Sequence, residues 1–395
     1  MYIQTGIPSE CCGCGACADI CPHDAITFVK GADGADYPLV DQQKCVQCHA
    51  CQPICPMQHR PEKEERRAKA YAAVLRDEDN RKLSASGGAF EGIAATLLEK
   101  HPDLWIAGAA WQSDLRVGHE LLPASMRGKF RKSKYLQSNT VGIFNQVKTA
   151  LRKGTPVLFT GTPCQVAALK LFLKKEYDIL YTVDLICHGV PGASVFHRYT
   201  DEVQAKHKSD IATAEFRHKV KNIYGDIHSS YLKLVLTNGK SICSNKKTDP
   251  YLMGYHAGLF YRESCSHCPY ATPKRYSDLT VGDYWSVQGI LPQYNADAGV
   301  SCIISNSAKG AELLEAAQSL TTIQTDYQYL LDHNAQLQTP SIPHKHRQRF
   351  FDEVDRKAFS CVIQDCVGRP NYLKVFLSRL MPDTLRRKIN KLLKG

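Results

Sequence analysis

The chain has 395 residues, 43% of them hydrophobic and 23% charged, with a formal net charge of +11. That length and composition suit two or three packed domains. With no run of eighteen or more apolar residues, no membrane-spanning helix is expected. The start, MYIQTGIPSECCGCG, has neither the basic residues nor the apolar segment of a signal peptide, so a cytoplasmic protein is expected. The positive charge suits an anionic cofactor, an acidic partner or a plain solvated surface. Nucleic acid is not expected, because no zinc-finger or helix-turn-helix pattern accompanies the charge. Seventeen cysteines in a long intracellular chain argue for metal or redox chemistry rather than disulfides.

Residues 11–22 read CCGCGACADICP and residues 45–56 read CVQCHACQPICP. Each fits C-x2-C-x2-C-x3-C-P once Cys12 is set aside, which is the two-cluster bacterial ferredoxin spacing. Three closely spaced thiolates wrap one cubane, and the fourth, before proline, turns to the other. Cys11, Cys14, Cys17 and Cys55 are therefore expected on one [4Fe-4S] cluster, and Cys45, Cys48, Cys51 and Cys21 on the second. Gly13 and Gly15 allow tight turns that aim amides at the cluster sulfurs. A zinc module would show two separate C-x-x-C pairs instead. Cys12 is read as an extra, unliganded thiol. Between the runs, AITFVK and YPLVDQQK are expected as short strands around a turn at GADGAD.

Residues 57–70, MQHRPEKEERRAKA, form a charged connector. Beyond it, AYAAVL (70–75) reads as a strand and SASGGAFEGIAATLLEK (84–100) as a glycine turn opening an amphipathic helix. A helix start of this kind suits either a phosphate or an ordinary N-cap. WIAGAAW (105–111) is a buried strand, and RGKFRKSKYLQS (127–138) places five basic residues and two aromatics in twelve positions. Such a loop can grip a pyrophosphate or an acidic partner, or simply be solvated. From 140 onwards helices and apolar strands alternate through TVGIFNQVKTALRKG, PVLFTG, PCQVAALKLFLKK, DILYTVDLIC and GASVFHRYTDEV, which argues for an α/β sheet with parallel strands.

ESCSHC (263–268) supplies Cys265 and Cys268, and no other cysteine lies within twenty residues of that pair. Two thiols do not close a four-coordinate site. Cys164 and Cys187 end two of the expected strands, where sites of open α/β sheets collect. These four are candidates for a third cluster. On spacing alone a zinc site or a structural C-x-x-C remain alternatives, as do a buried thiol at Cys187 and a nucleophile at Cys164.

In the tail, PHKHRQRFFDEVDRK reads as a helix, while LRRKINKLLKG sets Leu385, Ile389, Leu392 and Leu393 on one face opposite basic residues. This segment either docks on its own domain or makes peripheral contact with an anionic membrane surface. Cys361 and Cys366 have no assignable partners.

Taken in order after the ferredoxin module, SASGGA, KSKYLQS, FTGTPCQVAAL, DLICHGVPG, FRHK and SCSHCPYATPKRYSDLTVGDYW resemble the coenzyme F420 hydrogenase/dehydrogenase beta-subunit family from about residue 8 to about 320. The resemblance implies an FAD beside an iron-sulfur cluster at Cys164, Cys187, Cys265 and Cys268. It implies flavin contacts at Ser86, Gly87 and Gly88, at Lys134, Tyr135, Gln137 and Ser138, and at Thr160, Gly161 and Thr162. Asp278 and Asp283 are typical of the family, with a structural role equally open. No residue set marks a deazaflavin pocket.

The expected fold is α+β: a dicluster ferredoxin domain (1–60), a larger α/β catalytic domain with a mixed sheet in two parts (61–155 and 156–335), and a basic helical tail (336–395). The expected function is an iron-sulfur flavoprotein oxidoreductase. It passes electrons from a donor such as ferredoxin through the clusters to FAD and on to a small organic substrate, as in polysaccharide biosynthesis. The alternative is an electron-transfer beta subunit of a larger hydrogenase or dehydrogenase complex, using coenzyme F420. A zinc-stabilised binding protein is a third reading. The catalytic residues are unassigned, although Tyr224, His188 and Lys219 lie near family motifs and are candidate proton donors.

Overall fold

The computed structural model of the chain describes residues 1–62, 68–224, 227–287, 291, 299–382 and 385. The N-terminal module is built on an antiparallel hairpin, Ile26–Lys30 with Asp36–Val40, between the two cysteine runs. A short helix, Ala16–Asp19, follows the first turn. Residues 63–67 of the expected connector fall outside the described residues.

A nine-stranded mixed sheet forms the body of the protein. Its centre is parallel, with Trp105–Trp111, Val157–Gly161, Leu180–Leu185 and Leu279–Asp283 side by side. Antiparallel strands extend it on both sides. Val117–Pro123 pairs with Trp105–Trp111 on one side, and the short strand Ser138–Asn139 pairs parallel with it at that edge. Ser301–Ser305, Lys69–Leu75 and Leu320–Thr325 continue it at the other. The alternating helices and strands from 140 to 207 thus supply the two middle strands of the parallel centre, and the single sheet runs through both expected parts of the catalytic domain.

Both faces of this centre are covered, which is why its strands are apolar throughout rather than alternating. Leu158 joins the core under helix Ala89–Lys100, together with Ile93, Leu97 and Ile106. Its neighbours Val157 and Phe159 face the other way, into the core under helices Ile143–Arg152 and Pro163–Leu173. Helix Ile143–Arg152 buries Ile143, Phe144, Val147 and Leu151 on one stripe. Its N-terminus is capped from the ferredoxin module. The Asp19 carboxylate accepts from the Gly142 amide at 2.5 Å and the Phe144 amide at 3.0 Å, so the two parts are locked together.

A second lobe carries a three-stranded antiparallel sheet, Ile211–Lys221, Ile227–Leu236 and Ser241–Asn245. Around it pack helices Ala193–His207, Pro250–His256, Arg347–Glu353 and Phe359–Cys366 over an aromatic core that includes Phe196, Phe216, Tyr251, Phe260, Phe350 and Phe359. The first half of the expected tail is therefore part of this lobe. A further helix, Tyr372–Arg379, follows it. Apart from Leu385, the amphipathic stretch LRRKINKLLKG lies outside the described residues. Among the described residues no helix is long and apolar enough to cross a membrane.

Candidate functional site: three thiol sets and a basic cavity

Gly13 and Gly15 take left-handed backbone angles (φ 65° and 74°), which fold the first cysteine run into a tight loop. The loop's Gly13 amide points at Cys11 Sγ, 3.3 Å away. Burial raises the Cys17 thiol, with the neighbouring Cys11, Cys55 and Cys51 adding to the effect. Burial likewise raises Cys51, whose thiol neighbours are Cys21, Cys45 and Cys48. The fourth cysteine of each run thus stands with the first three of the other. Among the described residues no three His, Cys, Asp or Glu side chains converge as the ligands of one metal ion do; thiols around a cubane are held apart by the cluster's own width.

The other four cysteines meet at the carboxyl ends of the parallel strands. Strand Val157–Gly161 runs into Thr162, which caps helix Pro163–Leu173 through a capping box with Gln165 and leaves Cys164 in the first turn. Cys187 lies two residues past the strand Leu180–Leu185. A 3-10 turn, Glu263–His267, presents Cys265 and is followed by Cys268. Burial raises Cys187 well above the usual thiol range, with Cys265, Cys164 and Cys268 as its thiol neighbours. Burial also pushes Cys265 up to about 12 and Cys268 to about 11. Arg275 pins this loop to the strand end through the Tyr270 carbonyl (3.0 Å), the Leu185 carbonyl (3.0 Å) and the buried Asp184 carboxylate (3.1 Å). Cys12 lies between two of the sets, within hydrogen-bonding reach of Cys14 and of Cys164.

Arg262 ties the first loop to this region. It is 1% exposed and stacks on Tyr37 at 4.1 Å. Its guanidinium donates to the Cys11 carbonyl at 2.7 Å, to Gln137 Oε1 at 3.0 Å and towards Cys11 Sγ at 3.4 Å. The amide of Gln137 donates in turn to the carbonyls of Cys12 (2.9 Å) and Gly13 (3.1 Å).

Cys12, Cys164 and Cys187 line one wall of a cavity of about 630 Å³, within the usual span of cofactor sites, about 300–1,000 Å³. The expected flavin contacts Ser86, Gly88, Lys134, Tyr135, Gln137, Ser138, Thr160, Gly161 and Thr162 all line it. Gly87 does not; it packs into the sheet, where a Cβ would stand 2.3 Å from the Ala73 carbonyl oxygen and 2.5 Å from the Ser301 amide nitrogen. Gln137 reaches the cavity with its amide already engaged by the first cysteine loop.

The lining is basic: Arg131, Lys132, Lys134, Arg217, Lys246 and Lys247 face it against Asp184 and Asp283. Several of these cations have partners. Arg131 pairs with Glu91, Lys132 with Glu215, and Arg217 with Asp283 at 2.5 and 2.9 Å. Lys134 instead donates to the backbone carbonyls of Lys129 (3.2 Å) and Arg131 (2.9 Å), and burial lowers it to about 7. His119 bonds the Thr160 carbonyl through Nε2 at 2.9 Å, and burial lowers the ring to about 4. The neutral ring therefore carries its proton on Nε2. Its Nδ1 is a buried acceptor with no partner among the described residues.

A cofactor-sized void and a lysine with no acidic partner among the described residues together suit an anionic ligand. His188 lines the cavity, and burial lowers its ring. Lys219 serves the Ser86 loop from behind, donating to the carbonyls of Arg81 (2.7 Å) and Ser86 (3.1 Å). Tyr224 lies at an exposed hairpin tip. Asp278 is a structural pin, accepting from the Thr182 amide at 2.8 Å and from the Ser307 hydroxyl at 2.7 Å. His119, Arg217, Arg262 and Arg275 were not singled out from the sequence. Arg217 falls within FRHK and Arg275 within SCSHCPYATPKRYSDLTVGDYW, which could have pointed to them, whereas His119 and Arg262 meet their partners 41 and up to 251 residues away and carry no local signal.

Two family models match the chain. Residues 154–327 match the model for the C terminus of the coenzyme F420 hydrogenase/dehydrogenase beta subunit, and residues 10–59 match the 4Fe-4S dicluster domain. Among solved structures, a chain of the F420-reducing [NiFe] hydrogenase complex from Methanosarcina barkeri is similar at 15% identity. The match covers 70% of this chain and 90% of that one, with a TM-score of 0.43. No curated protein matches.

Proposed function

We propose that this chain, which over residues 154–327 belongs to the coenzyme F420 hydrogenase/dehydrogenase beta-subunit family and at residues 10–59 carries a 4Fe-4S dicluster domain, works as the electron-transfer subunit of a larger hydrogenase- or dehydrogenase-type complex. It passes electrons between three [4Fe-4S] clusters and an FAD in the basic cavity. The family match favours this over a self-sufficient flavoprotein reductase acting in polysaccharide biosynthesis.

One observation carries the reading: the thiol sets adjoin one another, and the last of them lines the cavity. The second N-terminal set adjoins the first at Cys51 and Cys17. The first adjoins the third through Cys12, and the third opens on the cavity at Cys164 and Cys187. In this reading Cys11, Cys14, Cys17 and Cys55 hold one cluster; Cys21, Cys45, Cys48 and Cys51 hold the second; and Cys164, Cys187, Cys265 and Cys268 hold the third. Cys48 is exposed, so a donor or a partner protein meets the chain at that end.

A bound flavin supplies the junction between one-electron carriers and two-electron hydride chemistry. The chain's own residues would orient it. The amides ahead of helix Ala89–Lys100, with Gly88 at φ 94°, and the ammonium of Lys134 offer positive ends to a pyrophosphate. The Arg217–Asp283 pair keeps a fixed dipole at the wall, and His188 beside it can carry a proton.

The test is iron, acid-labile sulfide and flavin per chain after anaerobic purification. About twelve irons and one FAD are expected, falling to about eight irons in Cys265→Ser. About eight irons and no flavin in the unaltered protein, even after reconstitution, would remove both the third cluster and the flavin. Full turnover of an organic acceptor by the isolated chain would favour the self-sufficient reductase.

A further inference from the structure

One buried carboxylate stands behind the basic wall of the cavity. Glu91 lies in the first turn of helix Ala89–Lys100 and is 4% exposed. Its Oε1 accepts from Arg127 Nε at 2.7 Å and its Oε2 from Arg131 Nε at 2.8 Å. Burial acts to raise the carboxyl, but the hydrogen bonds from Arg131 and Arg127 outweigh it and hold Glu91 below its usual range. Arg131 also donates through Nη2 to Asn80 Oδ1 at 2.8 Å. Its guanidinium therefore clasps the loop 84–88 from both flanks, at Asn80 before it and at Glu91 after it. The same arginine places the cavity lysine, because the Lys134 ammonium donates to the Arg131 and Lys129 carbonyls.

Ser86, Gly88, Arg131 and Lys134 line the cavity, whereas Glu91 and Arg127 do not. Charge alone gives Glu91 no part in binding an anion there. A carboxylate in the first turn already takes the positive end of the helix and repels a second anion arriving at it. What the carboxylate supplies is geometry, since it ties the start of the helix to the loop that carries Lys134. We propose that Glu91 is a positioning residue: through Arg131 it locks the backbone ahead of helix Ala89–Lys100 and the Lys134 ammonium into one grip for a dinucleotide pyrophosphate, on the reading that the cavity holds FAD. Arg131 is then a strut of the grip, held back from the space the phosphates take by its two partners.

The test is equilibrium dialysis of FAD, and of riboflavin, which lacks the pyrophosphate, against the full-length protein purified anaerobically and freed of flavin with its iron retained. Glu91→Gln removes the negative charge, so charge alone predicts tighter FAD binding and lost positioning predicts weaker binding. Glu91→Asp keeps the charge but is one carbon too short to reach both guanidinium groups, and it carries the comparison by itself if the Gln variant does not fold. Each folded variant is expected to bind FAD at least about tenfold more weakly. Riboflavin affinity and iron content should stay at the level of the unaltered protein. A general loosening of the fold would weaken both ligands alike, so an equal loss for FAD and riboflavin overturns the proposal. So does FAD binding that is unchanged or tighter in Glu91→Gln, or unchanged in Glu91→Asp. If the unaltered protein takes up neither flavin, the FAD reading itself fails and the positioning role falls with it.

Discussion

Replacing Arg262 by Gln should lower the reduction potential of one N-terminal cluster by about 120 mV. The guanidinium is buried, points towards Cys11 Sγ at 3.4 Å and donates to the Cys11 carbonyl at 2.7 Å. Adding an electron makes the cluster more negative, so a fixed positive charge beside it favours the reduced form and raises the potential. A cluster held at Cys11 would put its centre on the order of 6 Å from this charge, the 3.4 Å to Cys11 Sγ plus about half a cluster's width. At an effective dielectric of about 20 that is about 3 kcal/mol, or about 120 mV for one electron. The assay is a redox titration followed by electron paramagnetic resonance, with Arg262→Lys as the variant that keeps the charge and loses the fork. A Gln variant with full iron content and potentials within about 20 mV of the unaltered protein would refute the reasoning. Absence of a low-temperature cluster signal in the unaltered protein would instead remove the cluster assignment on which it rests.

The cavity lysine gives a pH prediction. Burial lowers Lys134 to about 7, below the ordinary value of about 10.4, so between those limits the unfolded chain holds more protons than the folded one. Stability of the ligand-free protein should therefore rise with pH across that window, and Lys134→Met should lessen the rise in thermal melts, with Lys219, which burial also lowers to about 7, carrying the rest. The same variant should retain flavin at least about tenfold more weakly, measured by equilibrium dialysis. Asp19→Ala removes the cap that joins the ferredoxin module to helix Ile143–Arg152 and should cost about 1–2 kcal/mol in urea unfolding. Gly87→Ala forces a Cβ to 2.3 Å from the Ala73 carbonyl and should lower stability by about 2 kcal/mol, seen as a lower melting temperature.

Sequence reading reached the parts of this protein whose signals are local. Cysteine spacing distinguishes thiols that wrap one cluster from a fourth that turns away, because a few residues of chain can follow only one path around a cubane. The apolar runs at 157–161 and 180–185 read as buried parallel strands, and their ends located Cys164 and Cys187. Of the antiparallel strands, AYAAVL was legible as a strand, but Val117–Pro123 and Ser301–Ser305 were not. Val117–Pro123 is partly buried along nearly its whole length and lacks a period of two, and Ser301–Ser305 is five residues buried on both faces. Their direction is decided by neighbours that join from far along the chain. The same limit hid Arg262, whose partner Cys11 lies 251 residues away.

Cys12 shows the limit at a single atom. Within its run it breaks the ferredoxin spacing, so the sequence pattern leaves it unliganded. In the fold, the backbone turn at Gly13 and the hydrogen bonds of Gln137 and Thr140 to the loop carbonyls turn that extra residue towards helix Pro163–Leu173. There its thiol meets Cys164 as well as Cys14. A position with no role in the local pattern is thus where the N-terminal module touches the sheet's cysteine site. The contact needs both the crossing of the two cysteine runs and the docking of Asp19 on the following helix. Neither runs along a single stretch of chain, so what joins the two cysteine sites is tertiary packing rather than motif.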